Sequence, residues 1–401
     1  MPDCLSAQAG NSPRTLPMPD PKAQAVSERL MRQIVRAIEQ SGGAIPFDMF
    51  MDMALYAPGL GYYVAGSRKF GDQGDFITAP EVSPLFAQCL ARQLAPILDR
   101  LPSADILEFG AGSGILAADL LEALAALDQL PDRYQILEVS PELKSRQRET
   151  LEARVPDLLE RVVWLERMPV QFSGCVVANE LLDALPVSRF RIENGAIQEC
   201  FVTQQGGQLK ASYREPVTAG LESAVKQLQA QYGPFKSIYH SEVNLRQSAW
   251  IKSLANAVTQ GVVLLIDYGY SSAEYYHPQR DQGTLMCHFR HRAHSDPFRW
   301  VGIQDITCHV DFTAAAKVAV ESGFSLGGYT TQAHFLLANG LDSLLADSDP
   351  EDVARHMSLM QGVKRLTLPA EMGERFKVLG LLKGLQLNLQ GFSMRDMCER
   401  L

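Results

Sequence analysis

The run Leu107-Glu108-Phe109-Gly110-Ala111-Gly112-Ser113-Gly114 constrains this chain more than any other feature. Its glycines alternate where an apolar strand, Asp105–Phe109, passes into a helix expected over Ser113–Ala126. Only glycine lets the backbone turn sharply there and meet a ligand with no Cβ in the way. The helix that follows points free N–H groups at whatever occupies the turn. A glycine-rich turn alone is a weak signal, and context strengthens this one. A second strand, Arg133–Val139, carries an acid near its end, Glu138, about 20–25 positions after the turn, where acids grip a ribose in this class of fold. The competing reading of Glu138 is a carboxylate capping the helix that Pro141 begins.

Glycine spacing separates the possible cofactors. A dinucleotide site wants G-x-G-x-x-G with a pyrophosphate over the helix start. Here the third glycine comes one residue early and Ile115 follows it. Glu108 would repel phosphates, whereas its charge suits the sulfonium or α-amino group of S-adenosyl-L-methionine (AdoMet). The spacing therefore favours AdoMet over a NAD(P)-dependent oxidoreductase. The candidate cofactor residues are Glu108, Gly110, Gly112, Gly114, Glu138 and Ser140.

The alternation continues through a helix from Pro141 to about Ala153 and short apolar runs at Val162–Leu165 and Cys175–Ala178. Strand, helix, strand, helix implies an α/β, Rossmann-like parallel sheet covered on both faces. The fourth strand ends in Asn179-Glu180-Leu181-Leu182-Asp183, outside the carboxyl ends of the strands, where such sheets bind ligands. Asn179 and Glu180 are the candidate acceptor-side residues; the alternative is that Asn179 caps a helix with Glu180 on its first turn. Beyond them, Val187–Arg214 reads as an antiparallel insertion with turns at Glu193-Asn194-Gly195 and Gln205-Gly206-Gly207. A helix over Leu245–Val258, a buried strand at Gly261–Asp267, a loop-rich stretch at Ser271–Thr307 and a helix at Phe312–Ser322 follow. Phe324–Thr330 and Phe376–Leu382 suit the last two strands.

These signals divide the chain into a disordered tail (1–22), N-terminal helices with an active-site loop (23–100), and a methyltransferase domain (101–401) with insertions at about 187–245 and 271–311. The helix at Val26–Gln40 ends at Gly42-Gly43, and Pro58–Ser83 reads as one long loop, a feature that is usually functional. A net charge of −9 opposes nucleic-acid binding. No apolar run approaches the roughly 18 residues that span a bilayer, so no membrane insertion is expected. Seven scattered cysteines without a C-x-x-C pair read as reduced thiols, which suits the cytoplasm. Oligomeric state leaves no mark in the sequence.

The segments GDFITAPEVSPLF, EFGAGSGILAADLL, ANELLDALPV, LLIDYG and GTLMCHFRHRAHSDPFRWVGIQDITCHVDF occur in that order. Together they resemble the MidA-like family of AdoMet-dependent methyltransferases, from about Arg29 to the C-terminus. The resemblance implies a seven-stranded methyltransferase core with added segments over the site. It also implies a protein substrate, since mitochondrial members are linked to respiratory complex I assembly through symmetric dimethylation of an arginine on one of its subunits. By the same resemblance, Glu108, Gly110, Gly112 and Glu138 would line AdoMet, and Asn179 and Glu180 would face the acceptor. Asp75 and Thr78 would close the pocket, with Asp267 and Tyr268 on its side. The sequence shows no mitochondrial targeting pattern, so the chain looks like a bacterial member, and the resemblance does not carry the substrate over to it. A non-catalytic AdoMet-binding assembly factor would keep the same cofactor site. His288, His291, His294 and His309, with Asp296 and Asp311, suggest either a zinc site or an acceptor-binding loop; no metal is expected, because three-residue spacing among Arg and Pro is poor for ligation. Tyr62-Tyr63 and Tyr275-Tyr276 read as loop packing.

Overall fold

Seven strands build the central sheet: β1 Asp105–Phe109, β2 Tyr134–Leu137, β3 Val162–Leu165, β4 Phe172–Asn179, β5 Val258–Tyr270, β6 Ser325–Thr331 and β7 Phe376–Lys383. The computed structural model describes residues 16–65, 78–349 and 351–401. The strands lie in the order β3-β2-β1-β4-β5-β7-β6, and the short strand Val310–Asp311 pairs with the end of β5. β1 to β5 run parallel, whereas β7 is antiparallel to both of its neighbours. A dinucleotide-binding sheet has the order 3-2-1-4-5-6. Here an antiparallel strand is wedged between the fifth and sixth positions.

The near-continuous apolar run of β5 follows from burial on both faces, as parallel strands require. Val262, Leu264 and Ile266 face a core formed with the helices Leu85–Leu98 and Ile115–Ala126. Val263 and Leu265 face the opposite core, formed with the helices Leu245–Ala257 and Phe312–Glu321. Local chemistry sets the helix ends. Pro141 opens the helix Pro141–Arg154, and the Ser140 hydroxyl accepts from the Leu143 N–H at 3.3 Å.

A third core lies outside the central sheet. The helices Pro21–Gln40 and Phe47–Tyr56 pack with residues of the insertion that follows β4. The first of these helices starts at Pro21, capped by Asp20, so ordered structure begins inside the segment expected to be a tail. The insertion forms a five-stranded antiparallel sheet from Ser188–Glu193, Ala196–Gln205, Gln208–Arg214, Ile238–Val243 and the distant Ile45–Pro46. Its two hairpins turn at Asn194-Gly195 and Gly206-Gly207, all four residues at positive φ. The stretch Ser271–Thr307 is loop-rich, as expected, and also holds a three-stranded sheet of Met286–Phe289, Arg292–His294 and Asp305–Thr307. Strands of three or four residues are too short to show a period. Three helices, Gln332–Ala338, Leu341–Ala346 and Val353–Thr367, connect β6 to β7.

Leu264 and Leu265 are both fully buried, one against each helical layer. Leu264→Ala and Leu265→Ala are each expected to cost about 2–5 kcal/mol of stability in urea unfolding. A neutral response at either position would mean that one face of β5 is not packed.

Candidate active site

β1 and β4 are neighbours, yet the helices that follow them pack on opposite faces of the sheet: Ile115–Ala126 in one core, Leu245–Ala257 in the other. The carboxyl ends of the two strands therefore open a crevice, the place where ligands bind in sheets of this kind. A cavity of about 1310 Å³ fills it.

One half of the cavity is built on the glycine turn. Gly110 and Gly112 line it, with φ of +63° and +54°. Gly114 does not. At φ +84° it starts the helix Ile115–Ala126, and a Cβ there would stand 2.9 Å from the Cα of Gln147. Its glycine is required by packing between two helices, which corrects its placement among the cofactor residues. Gln147, fully buried, donates to the Gly112 carbonyl at 3.2 Å and to the Glu138 carboxylate at 3.0 Å. The Ser140 N–H donates to the other Glu138 oxygen at 2.9 Å. Ser140 is thus a buried support for Glu138 and not a wall of the cavity.

Glu108 and Glu138 both line this half. Burial pushes the Glu108 carboxyl up to about 7; the Tyr134 hydroxyl, donating at 2.8 Å, works against the rise, and the charge of Glu138 adds to it. Burial also raises Glu138, with the bonds from Ser140 and Gln147 opposing. Two neighbouring acids held in this way repel a pyrophosphate. They suit a ligand that brings hydroxyls and a positive charge, as AdoMet does.

The other half is assembled from distant segments. Thr78 lines the cavity at the start of the helix Ala79–Val82, and Glu81 on that helix accepts from the Ser113 hydroxyl at 2.9 Å, tying it to the glycine turn. Asp75 lies outside the described residues. Asn179 and Glu180 line the cavity at the end of β4, and Glu180 takes a positive φ of 51°. The turn directly after β4 is not helical and leads into the strand Ser188–Glu193, so Asn179 caps no helix. Its amide donates instead to Glu180 at 3.2 Å. Burial lifts the Glu180 carboxyl to about 8, reinforced by Asp183 and Asp305, while Asn179 and the Ala79 N–H oppose.

Asp267, expected at the pocket, stands behind it. Its carboxyl oxygens accept the backbone N–H groups of Leu182 (2.9 Å), Asp183 (3.2 Å) and Tyr268 (2.9 Å), and the residue does not line the cavity. Tyr268 does line the cavity, and its hydroxyl donates to Asp183. Asp305 lines the same half; its two oxygens accept from the Tyr63 hydroxyl at 3.0 and 3.1 Å. Tyr56 stacks on Tyr63 at 5.5 Å, so Tyr63 belongs to the cavity while Tyr62 is core packing. Tyr275 and Tyr276 are buried packing, as expected.

The histidines divide. His288 and His309 line the cavity, whereas His291 sits at the hairpin turn with Arg290, both at positive φ. Among the described residues no group of three metal-ligating side chains comes together, so the zinc reading finds no support. Burial and nearby cations push His309 down to about 3, and burial beside His294 takes His288 to about 4; both rings are neutral at physiological pH. Gln147, which braces the cavity from behind, and Tyr56, Asp305 and Thr307, which line it, were not singled out from sequence; the acceptor-loop reading did reach His309. Asp305, Thr307 and His309 fall within the distinctive DITCHVDF segment.

Comparison with known proteins now decides the class. A family model described as "Putative S-adenosyl-L-methionine-dependent methyltransferase" matches residues 89–330, more than half of the chain. The chain belongs to this family. It is an AdoMet-dependent methyltransferase, which removes the oxidoreductase alternative. A Burkholderia thailandensis superfamily member, crystallised bound to S-adenosyl-homocysteine, is 44% identical with a TM-score of 0.92, covering 96% of this chain and 100% of that one. The mitochondrial "Protein arginine methyltransferase NDUFAF7 homolog" of Drosophila melanogaster is 30% identical, covering 93% of this chain and 89% of its own. The Homo sapiens protein arginine methyltransferase NDUFAF7 is 28% identical over 88% and 83%.

Gly114→Ala should destabilise the methyltransferase by more than the ~1–2 kcal/mol that a left-handed conformation costs an L-residue, because Gln147 must also move. Urea unfolding measures this. A loss confined to S-adenosyl-homocysteine affinity, with stability intact, would return Gly114 to the cofactor wall.

Proposed function

We propose that this methyltransferase acts on the guanidinium of an arginine in a protein, with Glu180 orienting the acceptor. The observation that carries the reading is the acceptor half of the cavity, where three carboxylates, Glu180, Asp183 and Asp305, stand among the rings of Tyr56, Tyr63 and Tyr268. A planar cation matches that surface through paired hydrogen bonds and ring contact. The names of the relatives, protein arginine methyltransferases, support the same acceptor.

When bound, AdoMet supplies a methyl group activated on a sulfonium. The protein's part is placement and exclusion of water. Gly110 and Gly112 let the donor approach the main chain, and Glu138 accepts from the ribose hydroxyls. Glu108 faces the donor's positive charge. The Glu180 carboxylate holds the guanidinium and takes the proton that the attacking nitrogen sheds, with the Asn179 amide fixing its position. Glu180 must be ionised to do this. Its carboxyl is raised to about 8, so the neutral form dominates below that pH and the ionised form above it.

Labelled AdoMet incubated with the enzyme and a cell extract should place its label in methylarginine after acid hydrolysis. Label in lysine alone would overturn the acceptor. A subunit of a respiratory complex, as linked to the family's mitochondrial members, is the first purified acceptor to try. For that acceptor kcat/KM should rise with pH to a plateau above about 8. Glu180→Gln should remove this rise and lower transfer by roughly 10²-fold, with S-adenosyl-homocysteine affinity nearly unchanged. Equal losses of binding and transfer would move Glu180 to the cofactor side.

Glu138→Ala should weaken S-adenosyl-homocysteine binding roughly ten- to hundredfold in calorimetry, and Glu138→Gln less, because an amide oxygen still accepts one bond. Parental affinity in both variants would leave Glu138 a purely structural acid.

A further inference from the structure

Asp183 shares the acceptor wall with Glu180 and is tightly held there. It is 5% exposed and lines the acceptor half. Its backbone N–H is held by Asp267, and its carbonyl accepts from the Cys308 N–H at 3.0 Å. Tyr268 donates to one carboxylate oxygen, Oδ2. The other, Oδ1, is buried and has no hydrogen-bond partner. A buried carboxylate oxygen without a donor is costly, more so than a neutral acceptor. Three more buried polar atoms without a partner belong to the same half of the cavity, Asn179 Oδ1, Thr307 Oγ1 and His309 Nδ1. Orphaned acceptors gathered at one wall mark the place where a ligand rich in N–H groups completes the bonding.

We infer that Asp183 is a second acceptor-binding carboxylate, its Oδ1 receiving an N–H of the guanidinium whose other edge Glu180 holds. The inference rests on the arginine reading above and extends it. A guanidinium presents five N–H donors in a fixed planar fork, so two carboxylates can engage it from two edges. A lysine ammonium is a point charge on a flexible stem and gains far less from a second, fixed partner. Asp183 therefore contributes to the choice of arginine over lysine, in addition to affinity. Tyr268 is the positioning residue. Its hydroxyl occupies Oδ2 and leaves Oδ1 to the acceptor, while Asp267 anchors the backbone of both.

The test uses the full chain with labelled AdoMet and two degenerate peptide pools that differ only in a central arginine or lysine. Their transfer ratio does not depend on the fraction of protein that is folded. Asp183→Asn should keep S-adenosyl-homocysteine affinity within about twofold, lower kcat/KM for the arginine pool by roughly 10²-fold, and reduce the arginine-to-lysine ratio at least tenfold. Tyr268→Phe should raise apparent KM for the arginine pool severalfold with a smaller change in kcat. Wild-type transfer to arginine with an unchanged ratio in Asp183→Asn would overturn the second carboxylate and leave the arginine reading standing. So would a loss of cofactor affinity equal to the loss of transfer. Wild-type transfer to lysine only, or to neither pool, would sink the arginine reading and this inference with it.

Discussion

The side-chain amide of Gln147 holds the nucleotide side of the crevice together. Its nitrogen serves both the Gly112 carbonyl and the Glu138 carboxylate, and its oxygen accepts the Trp164 indole N–H at 3.0 Å. One side chain thus binds the turn after β1, the end of β2 and the strand β3. It is fully buried, so water cannot replace any bond it loses. Around it the backbone is equally committed: the helix that carries Gln147 lies so close to Gly114 that no Cβ fits between them. The glycine pattern of the turn therefore records two separate demands, one from a ligand and one from a neighbouring helix.

The opposite side of the crevice has its own anchor in Asp267. By collecting three backbone N–H groups it fixes the turn after β4 relative to the end of β5, and with it the direction in which Glu180 and Asp183 project. Acids crowd this region, and burial raises the pKa of Glu108, Glu138, Glu180, Asp183 and Asp267. What separates their uses is the partner each already has. Asp267 is tied to three backbone N–H groups behind the cavity; Glu108 and Glu138 are partly satisfied by Tyr134, Ser140 and Gln147; Glu180 and Asp183 keep bonding capacity toward the acceptor half. Such a concentration of unwilling charge is tolerable where a cationic ligand enters.

The parts outside the central sheet exist to complete this wall. The third core packs the N-terminal helices against the insertion that follows β4 and the segment before β6. That packing delivers Tyr56 and Tyr63 from one end of the chain and Asp305, Thr307 and His309 from the other. The Tyr63–Asp305 bond spans 242 positions of sequence. A site made this way can exclude water from both halves at once, which strengthens the electrostatic contacts inside it.

Sequence by itself determined the elements whose cause is local. The glycine turn, the proline-started helix after Ser140, the hairpins at Asn194-Gly195 and Gly206-Gly207 and the doubly buried β5 each follow from backbone sterics or from a period in a few residues. With them came the fold class, the donor, and the placement of Glu108, Glu138, Asn179 and Glu180 at the crevice. Tertiary structure alone decided which acids face the cavity and which brace it, because Asp183 and Asp267 read alike as strand-end carboxylates until their hydrogen-bond partners are known. It alone separated Gly114 from Gly110 and Gly112, since the difference is a helix 33 residues further along in the chain, at Gln147. It alone brought Tyr63 to Asp305. Contacts of that range depend on how whole layers pack, and no local preference of either residue encodes them.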